Sequence, residues 1–447
     1  MKFKFESYAF DKETAVVKLR YSYGEHEFVE SLGFSKDLLI DYDQELLDRC
    51  LQALHIACGI SYWKAFCPSE VQIVWGALTC QQADFFNEFY LQGLLQFFYE
   101  NDLDPKKHSI EFKGDPSLAI PALSKFDLAA KHTKLLVPIG GGKDSLVSGA
   151  LLEDAGLDFD WFCVKSDSIK KQCADISSKK LIEVTRQIAP ELIRLNQQAE
   201  VYNGHVPITG ILAFVEFVAC CLYGYKTVVM SNEASSNQAN LDWMGYQVNH
   251  QYSKTLAFEN LIRDYCVQNF STVSTGSSFE YFSLLRGYSE YRIAEIFSRK
   301  CQQYFEAFSS CNRNFHFDKS KNLQDTKWCQ NCEKCAFVFL LLSNFVDYEE
   351  LVNIFGADLF KNTDLFEVFK QLVGLQDHKP FECVGTLEES KLALLQASKM
   401  GLLQGSLLED LGLELSKESA IDVSELEVDA FRTNIPEELE SKINFDL

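Results

Sequence analysis

A chain of 447 residues, 47% of them hydrophobic, has the length for two or three domains and a substantial core, and its composition excludes a disordered protein. Its 42 Lys and Arg stand against 64 Asp and Glu, and the resulting net charge of −22 argues against wrapping a polyphosphate such as tRNA and for a small soluble substrate. Fifteen cysteines, the lack of a long uncharged apolar run and the charged opening Met1-Lys2-Phe3-Lys4-Phe5-Glu6 lead to the expectation of a reducing, cytoplasmic setting, no membrane partner, and at most one metal-binding thiol cluster.

Residues 3–34 alternate in short runs, most clearly Ala15-Val16-Val17-Lys18-Leu19-Arg20-Tyr21, broken at Asp11-Lys12 and Gly24-Glu25; this predicts an antiparallel hairpin or meander. Helical periodicity follows over 43–57, with Gly59-Ile60-Ser61-Tyr62-Trp63-Lys64 expected to end it. Residues 81–100 predict a second helix, so rich in Phe and Tyr that it must be largely buried. Residues 101–126 are the expected linker. Beyond it come a strand at the start of 135–145, a strand over 158–164, a helix over 178–188, a strand over 191–195, a helix over 209–223 and a strand over 227–230. Such alternation predicts an α/β fold with a mainly parallel sheet, whose ligands bind beyond the carboxyl ends of the strands. The expected division is an α+β domain over 1–125, a parallel-sheet domain over 126–346, and a helical C-terminal region over 347–447 with a solvated acidic tail from Leu408.

The stretch Leu135-Leu136-Val137-Pro138-Ile139-Gly140-Gly141-Gly142-Lys143-Asp144-Ser145 reads as strand, glycine turn and helix start. Free backbone N–H groups at such a helix N-terminus suit an anion. A Walker loop is excluded, because Gly142-Lys143 is followed by Asp144 where Ser or Thr would hold magnesium. Five of six positions match the Ser-Gly-Gly-x-Asp-Ser signature that the stretch resembles, that of the PP-loop ATP pyrophosphatases, with Gly140 in place of the first serine. The resemblance implies that Gly140, Gly141, Gly142, Lys143 and Ser145 bind the pyrophosphate of ATP and that Asp144 holds magnesium. The simpler reading is a turn that lets a helix pack closely on a strand.

Polar clusters follow two other strands: Lys165-Ser166-Asp167 and Ser231-Asn232-Glu233-Ala234-Ser235. In the fold that the signature implies, Lys165 and Asp167 lie near the nucleotide, and Asn232 and Glu233 near the group being activated; strand-end polar residues are also ordinary turn formers. Asn249-His250-Gln251-Tyr252-Ser253-Lys254 then puts six polar side chains before a helix over 256–270. Ser253 as an N-cap in a solvated loop accounts for this blandly. The functional reading has His250 and Lys254 reach an anionic or transferring centre, with Glu259 on the same face and Asn249, Gln251, Tyr252 and Ser253 binding substrate.

Cys329, Cys332 and Cys335 lie within one compact turn, and Cys311 could complete a tetrahedral zinc site, with His316 as the substitute. An iron–sulfur cluster, or a metal-free turn leading into a buried helix over 336–345, are the alternatives.

Together, the glycine turn, Ser231-Asn232-Glu233, the 249–254 stretch, Trp328-Cys329-x-x-Cys332-x-Lys334-Cys335 and Gly59-Ile60-Ser61-Tyr62-Trp63-Lys64 resemble the MurL family, the UDP-N-acetyl-α-D-muramoyl-L-alanyl-L-glutamate epimerases. That resemblance implies ATP and Mg2+ as cosubstrate and cofactor, a UDP-N-acetylmuramoyl dipeptide as substrate, and the muramoyl peptide ligases as functional neighbours in peptidoglycan synthesis. Adenylation of the terminal glutamate would acidify its α-carbon, with His250 the first choice for proton transfer and Lys254 and Glu233 the next. Two rival readings keep the ATP chemistry but change the acceptor, namely ammonia-dependent amidation and sulfur transfer. A third is a nucleotide-binding module without catalysis.

Overall fold

A computed structural model describes residues 1–123, 133–272, 278–314, 323, 326–376, 379–418 and 434–445. The alternating N-terminal residues form β1 (Phe3–Asp11), β2 (Val16–Tyr23) and β3 (His26–Gly33), an antiparallel meander, and β4 (Val71–Ile73) pairs parallel to β1. The later strands are β5 (Leu135–Pro138), β6 (Phe159–Val164), β7 (Leu181–Gln187), β8 (Thr227–Met230), the two-stranded ribbon β9 (Leu241–Trp243) and β10 (Tyr246–Val248), and β11 (Glu280–Ser283). Apart from that ribbon, the described strands form a nine-stranded sheet in the order β11-β8-β5-β6-β7-β3-β2-β1-β4.

The stretch from β11 to β7 is parallel, and β5, its first strand in the chain, lies between β6 and β8. Chain connections leave β5 toward one side and later return to the other, so the carboxyl ends of β5 and β8 flank a topological switch point, where doubly wound sheets bind ligands. Side-chain alternation sends Leu136, Phe162 and Val228 to one core, with the helices Gln44–Trp63, Cys80–Gly93, Ile208–Tyr223 and Leu256–Phe270. Leu135, Val137, Trp161 and Val229 face the other, with the helices Lys143–Asp154, Glu290–Lys300, Glu333–Leu342 and Leu387–Lys399.

The meander joins the parallel strands through β3 and β7, which pair antiparallel. At that seam the buried Glu30 accepts a hydrogen bond from Arg186 Nε at 2.6 Å and another from the Tyr62 hydroxyl at 2.7 Å. Tyr62 thus serves the seam, and the helix Gln44–Trp63 runs through Gly59 instead of ending there, because a Cβ-less residue is what lets the ring of Phe5 lie against it. The stretch expected as a linker packs Leu103, Ile110 and Phe112 into the first core.

Four other readings need correction. Residues expected as a helix over 178–188 are β7, whose Ile182 and Val184 are buried at period two, and the preceding helix is Ser168–Ser177. The strand expected over 191–195 is the helix Pro190–Leu195, started by a proline at its first position. The aromatic stretch 81–100 is two helices, Cys80–Gly93 and Leu95–Glu100, with Leu94 outside helical geometry between them. The tail is not wholly solvated either, since Leu408, Leu411 and Leu415 of the helix Leu408–Glu418 are buried in the second core.

Candidate active site

Gly142 caps the helix Lys143–Asp154 with extended backbone, and Gly141 before it has φ +84°, the left-handed region that favours glycine. A Cβ on Gly141 would lie 2.6 Å from Ile169 Cγ2 and one on Gly142 2.6 Å from Ser310 Oγ, whereas one on Gly140 would meet nothing within 4 Å. The Gly141 carbonyl also accepts from Ser309 N at 2.9 Å, so the turn is held by the segment leading into Cys311.

Just inside the turn lies a buried ion cluster. Lys143 donates to both Asp144 and Glu290; Lys143 and Glu290 are each 1% exposed while Asp144 is 26% exposed. Burial works against the Lys143 charge, but the two carboxylates hold its pKa above the ordinary lysine value. Asp144 is held low, against its own burial, by Lys143, Lys334 and Lys254. Burial pushes Glu290 up. Lys334 lies 3.7 Å from the other Glu290 oxygen and donates to the Cys383 carbonyl. Lys254 Nζ donates to Cys383 Sγ at 3.3 Å. Its own pKa is raised: burial opposes the charge, and Cys383, Glu233 and Asp144 outweigh it, so Lys254 is an ammonium rather than a base.

The loops after β8 and β10 are clamped together by Arg286, 2% exposed, which follows β11. Its guanidinium donates to the carbonyls of Glu233 at 3.0 Å and Lys254 at 2.6 Å, to Ser236 Oγ at 2.8 Å and to the Glu259 carboxylate at 2.9 Å. Glu259 is therefore the buried counter-charge of Arg286, and Asn434 Nδ2 also donates to it at 2.9 Å. Glu233 is 3% exposed beside this clamp, and Asn232 Nδ2 donates to Ser283 Oγ at 3.0 Å.

His250 Nδ1 lies 2.7 Å from Gln96 Oε1, and Gln96 Nε2 donates to Glu100 at 2.7 Å. A carboxylate only accepts, which fixes the amide orientation: Oε1 accepts from His250, Nδ1 carries the proton, and Nε2 is left for the cluster. The His205 ring is 4.9 Å away, and burial, then the charges of His250 and Lys64, press its pKa down to about 3.

The remaining predicted residues shape these loops. Asn249 bridges Ser236 O and Gln251 N at 2.9 and 2.7 Å. Gln251 is buried with no hydrogen-bond partner for Oε1 among the described residues, and Tyr252 stacks edge-on with Phe258. Ser253 is buried, and the N-cap of the helix Leu256–Phe270 is Thr255 instead. Ser145 Oγ donates to Gly142 O at 3.2 Å. Asp167 caps the helix Ser168–Ser177 and pairs with Lys170 at 2.7 Å, and Lys165, at φ +60°, makes the turn before it.

The Sγ atoms of Cys311, Cys329, Cys332 and Cys335 all lie within 4.8 Å of one another, with 3.5 Å between Cys332 and Cys335 and 3.7 Å between Cys329 and Cys335. Tetrahedral zinc–thiolate bonds imply S–S edges of about 3.8 Å, so the four-thiol set fits zinc. His316 lies outside the described residues.

Sequence reasoning missed Arg286, Glu290, Lys379 and Cys383, and gave Lys334 no role. Arg286 had a findable signal, a charged residue just past a strand of the parallel sheet; Cys383 had none, since a loop of the helical region brings it in.

A doubly wound sheet whose switch point carries a glycine turn and a buried ion cluster is the architecture of an α/β enzyme. The family model of the MurL N-terminal domain matches residues 1–284 and that of the MurL C-terminal domain matches 307–420. The UDP-N-acetyl-alpha-D-muramoyl-L-alanyl-L-glutamate epimerase of Xanthomonas oryzae pv. oryzae is 35% identical over 88% of this chain and 84% of its own length. Its namesakes in a Micromonospora species and in Salinispora tropica are each 34% identical over 88% of this chain, covering 86% and 84% of theirs. The chain belongs to the MurL family, and it is an epimerase. Among the described residues, no helix is long and apolar enough to cross a membrane.

Proposed function

We propose that this chain converts the terminal L-glutamate of UDP-N-acetylmuramoyl-L-alanyl-L-glutamate to D-glutamate, a step in making a peptidoglycan precursor, through an ATP-dependent acyl adenylate that is finally hydrolysed to AMP and product. The observation that carries this reading is the meeting, at one switch point, of a glycine turn and acidic Asp144 with the basic loop of His250 and Lys254.

The α-proton of a carboxylate is hard to remove because the carbanion would form beside a negative charge. Adenylation removes that charge and lets the carbonyl take up electron density. The turn N–H groups and the start of the helix Lys143–Asp154 suit the phosphates, and open space at Gly140 leaves room for them. Asp144 is the residue to hold magnesium, having the one partly exposed carboxylate in the trio with Lys143 and Glu290; the ion supplies charge neutralisation as pyrophosphate departs. Lys143, spent on two carboxylates, orients Asp144 rather than gripping phosphate. His250 is suited to proton transfer through Nε2, and the Lys254 ammonium to stabilising the enolate. The four thiols are suited to a structural zinc that holds Ser309 against the turn.

The test is incubation with Mg-ATP and the dipeptide substrate, followed by the chirality of glutamate after acid hydrolysis. ATP-dependent D-glutamate with AMP and pyrophosphate, lost in Asp144→Asn, is the expected result. AMP with glutamate still entirely L would point to another acceptor for the adenylate.

A further inference from the structure

The cysteines outside the four-thiol cluster are mostly inert by position: Cys50, Cys58, Cys163, Cys173, Cys220, Cys266 and Cys301 are packed in the cores, where burial pushes each thiol upward. Cys383 is different. It lies in a loop of the helical region that closes over the switch point, and it is clamped from two directions. Lys254 donates to its sulfur at 3.3 Å and Lys334 to its carbonyl. The His250 ring faces the same sulfur closely enough to favour its charged form, with its Nδ1 committed to Gln96.

The surroundings favour a thiolate. Burial would raise the Cys383 pKa, but Lys254, His250 and Lys334 outweigh it and bring the thiol down to about 6. Glu382 beside it is bonded to Asn312, and burial lifts that carboxyl. Lys379 also faces the cluster. It is 6% exposed and makes no hydrogen bond or ion pair among the described residues, and it lines a cavity of about 180 Å³ with Gln238, Asn240 and Gln376. A buried amine open to a cavity, beside a thiol held by cations, is what an anionic substrate with an acidic C–H needs.

We propose that Cys383 is a catalytic acid–base of the epimerisation, its sulfur exchanging a proton with the α-carbon of the activated glutamate on one face. This rests on the epimerase reading above. In the forward sense the Cα–H bond breaks, its proton forms the S–H bond, and the electron pair passes into the adjacent activated carbonyl as an enolate stabilised by Lys254. A solvent-exchanged acid on the opposite face then restores a C–H bond with inverted configuration, and the Cys383 thiol returns its proton through His250 to water. One C–H bond is broken and one is formed, and nothing is oxidised or reduced.

The experiment compares wild type and Cys383→Ala in D2O with Mg-ATP and the dipeptide substrate, following first-turnover pyrophosphate, which adenylation itself releases, and α-deuterium together. Cys383→Ala should release that first pyrophosphate within a few-fold of wild type, which also reports an intact fold, while D-glutamate and α-deuterium fall by about 10²-fold or more. Epimerisation within a few-fold of wild type would overturn the assignment. A wild-type protein yielding neither AMP nor D-glutamate would instead sink the epimerase reading and this role with it. Independently of turnover, iodoacetamide at pH 7 should label Cys383 faster than the exposed Cys80, and Lys254→Met should abolish the preference; equal rates in wild type would contradict a cation-held thiolate.

Discussion

Arg286 and Glu259 form an ion pair at 2.9 Å with both side chains almost wholly buried, and the same guanidinium holds the carbonyls of Glu233 and Lys254. Two loops that carry the proposed chemistry are thus set by one residue that need not touch substrate.

Removing the counter-charge leaves a buried guanidinium uncompensated, which costs about 3–5 kcal/mol. Glu259→Gln should therefore lower stability in urea titration by that order. A variant as stable as wild type would mean that the other Arg286 bonds suffice.

The glycine turn predicts opposite outcomes for neighbours. Gly141→Ala meets left-handed backbone, costing roughly 1–2 kcal/mol, and a contact at 2.6 Å with Ile169; it should depress both melting temperature and AMP formation. Gly140→Ala meets nothing within 4 Å and should stay within about 0.5 kcal/mol of wild type in stability. Both are read by thermal unfolding alongside AMP release.

Glu216 lies in the helix Ile208–Tyr223, 1% exposed, with no partner for Oε2 among the described residues, and burial lifts its carboxyl to about 8. A folded-state pKa above the unfolded value near ~4.3 means that the folded state keeps the proton while the unfolded chain loses it. Stability from this group is present at low pH and falls as pH rises from about 4.3 to about 8, a loss of roughly 4 kcal/mol by pH 7. Glu216→Gln should flatten that slope in unfolding curves measured between pH 5 and 8.

If the four thiols hold zinc, purified protein should carry about one ion per chain by elemental analysis. Cys335→Ser should lose it and, because Ser309 braces Gly141, lose AMP formation as well. Metal-free protein with full activity would remove the thiols from the account.

Local chemistry was legible in the sequence and long-range assembly was not. Three adjacent glycines, the Cys329, Cys332 and Cys335 spacing and the polar run before Thr255 announce themselves, because each motif needs only its own neighbours. The strand at Leu181–Gln187 reads as helix in the sequence although Ile182 and Val184 alternate, since only half of a seam strand near a sheet junction carries a clear burial pattern. The helix at Pro190–Leu195 reads as strand although a proline marks its start. Glu290 and Cys383 reach Lys143 and Lys254 across 147 and 129 residues, through sheet order and helix packing that no local pattern encodes.

The most direct test is a single turnover of wild-type protein in D2O with Mg-ATP and UDP-N-acetylmuramoyl-L-alanyl-L-glutamate, counting solvent deuterium at the glutamate α-carbon against AMP released. Epimerisation through an acyl adenylate should give D-glutamate that carries one α-deuterium, formed only when ATP is consumed to AMP. D-Glutamate formed without ATP, or AMP released with the α-proton retained, would contradict it.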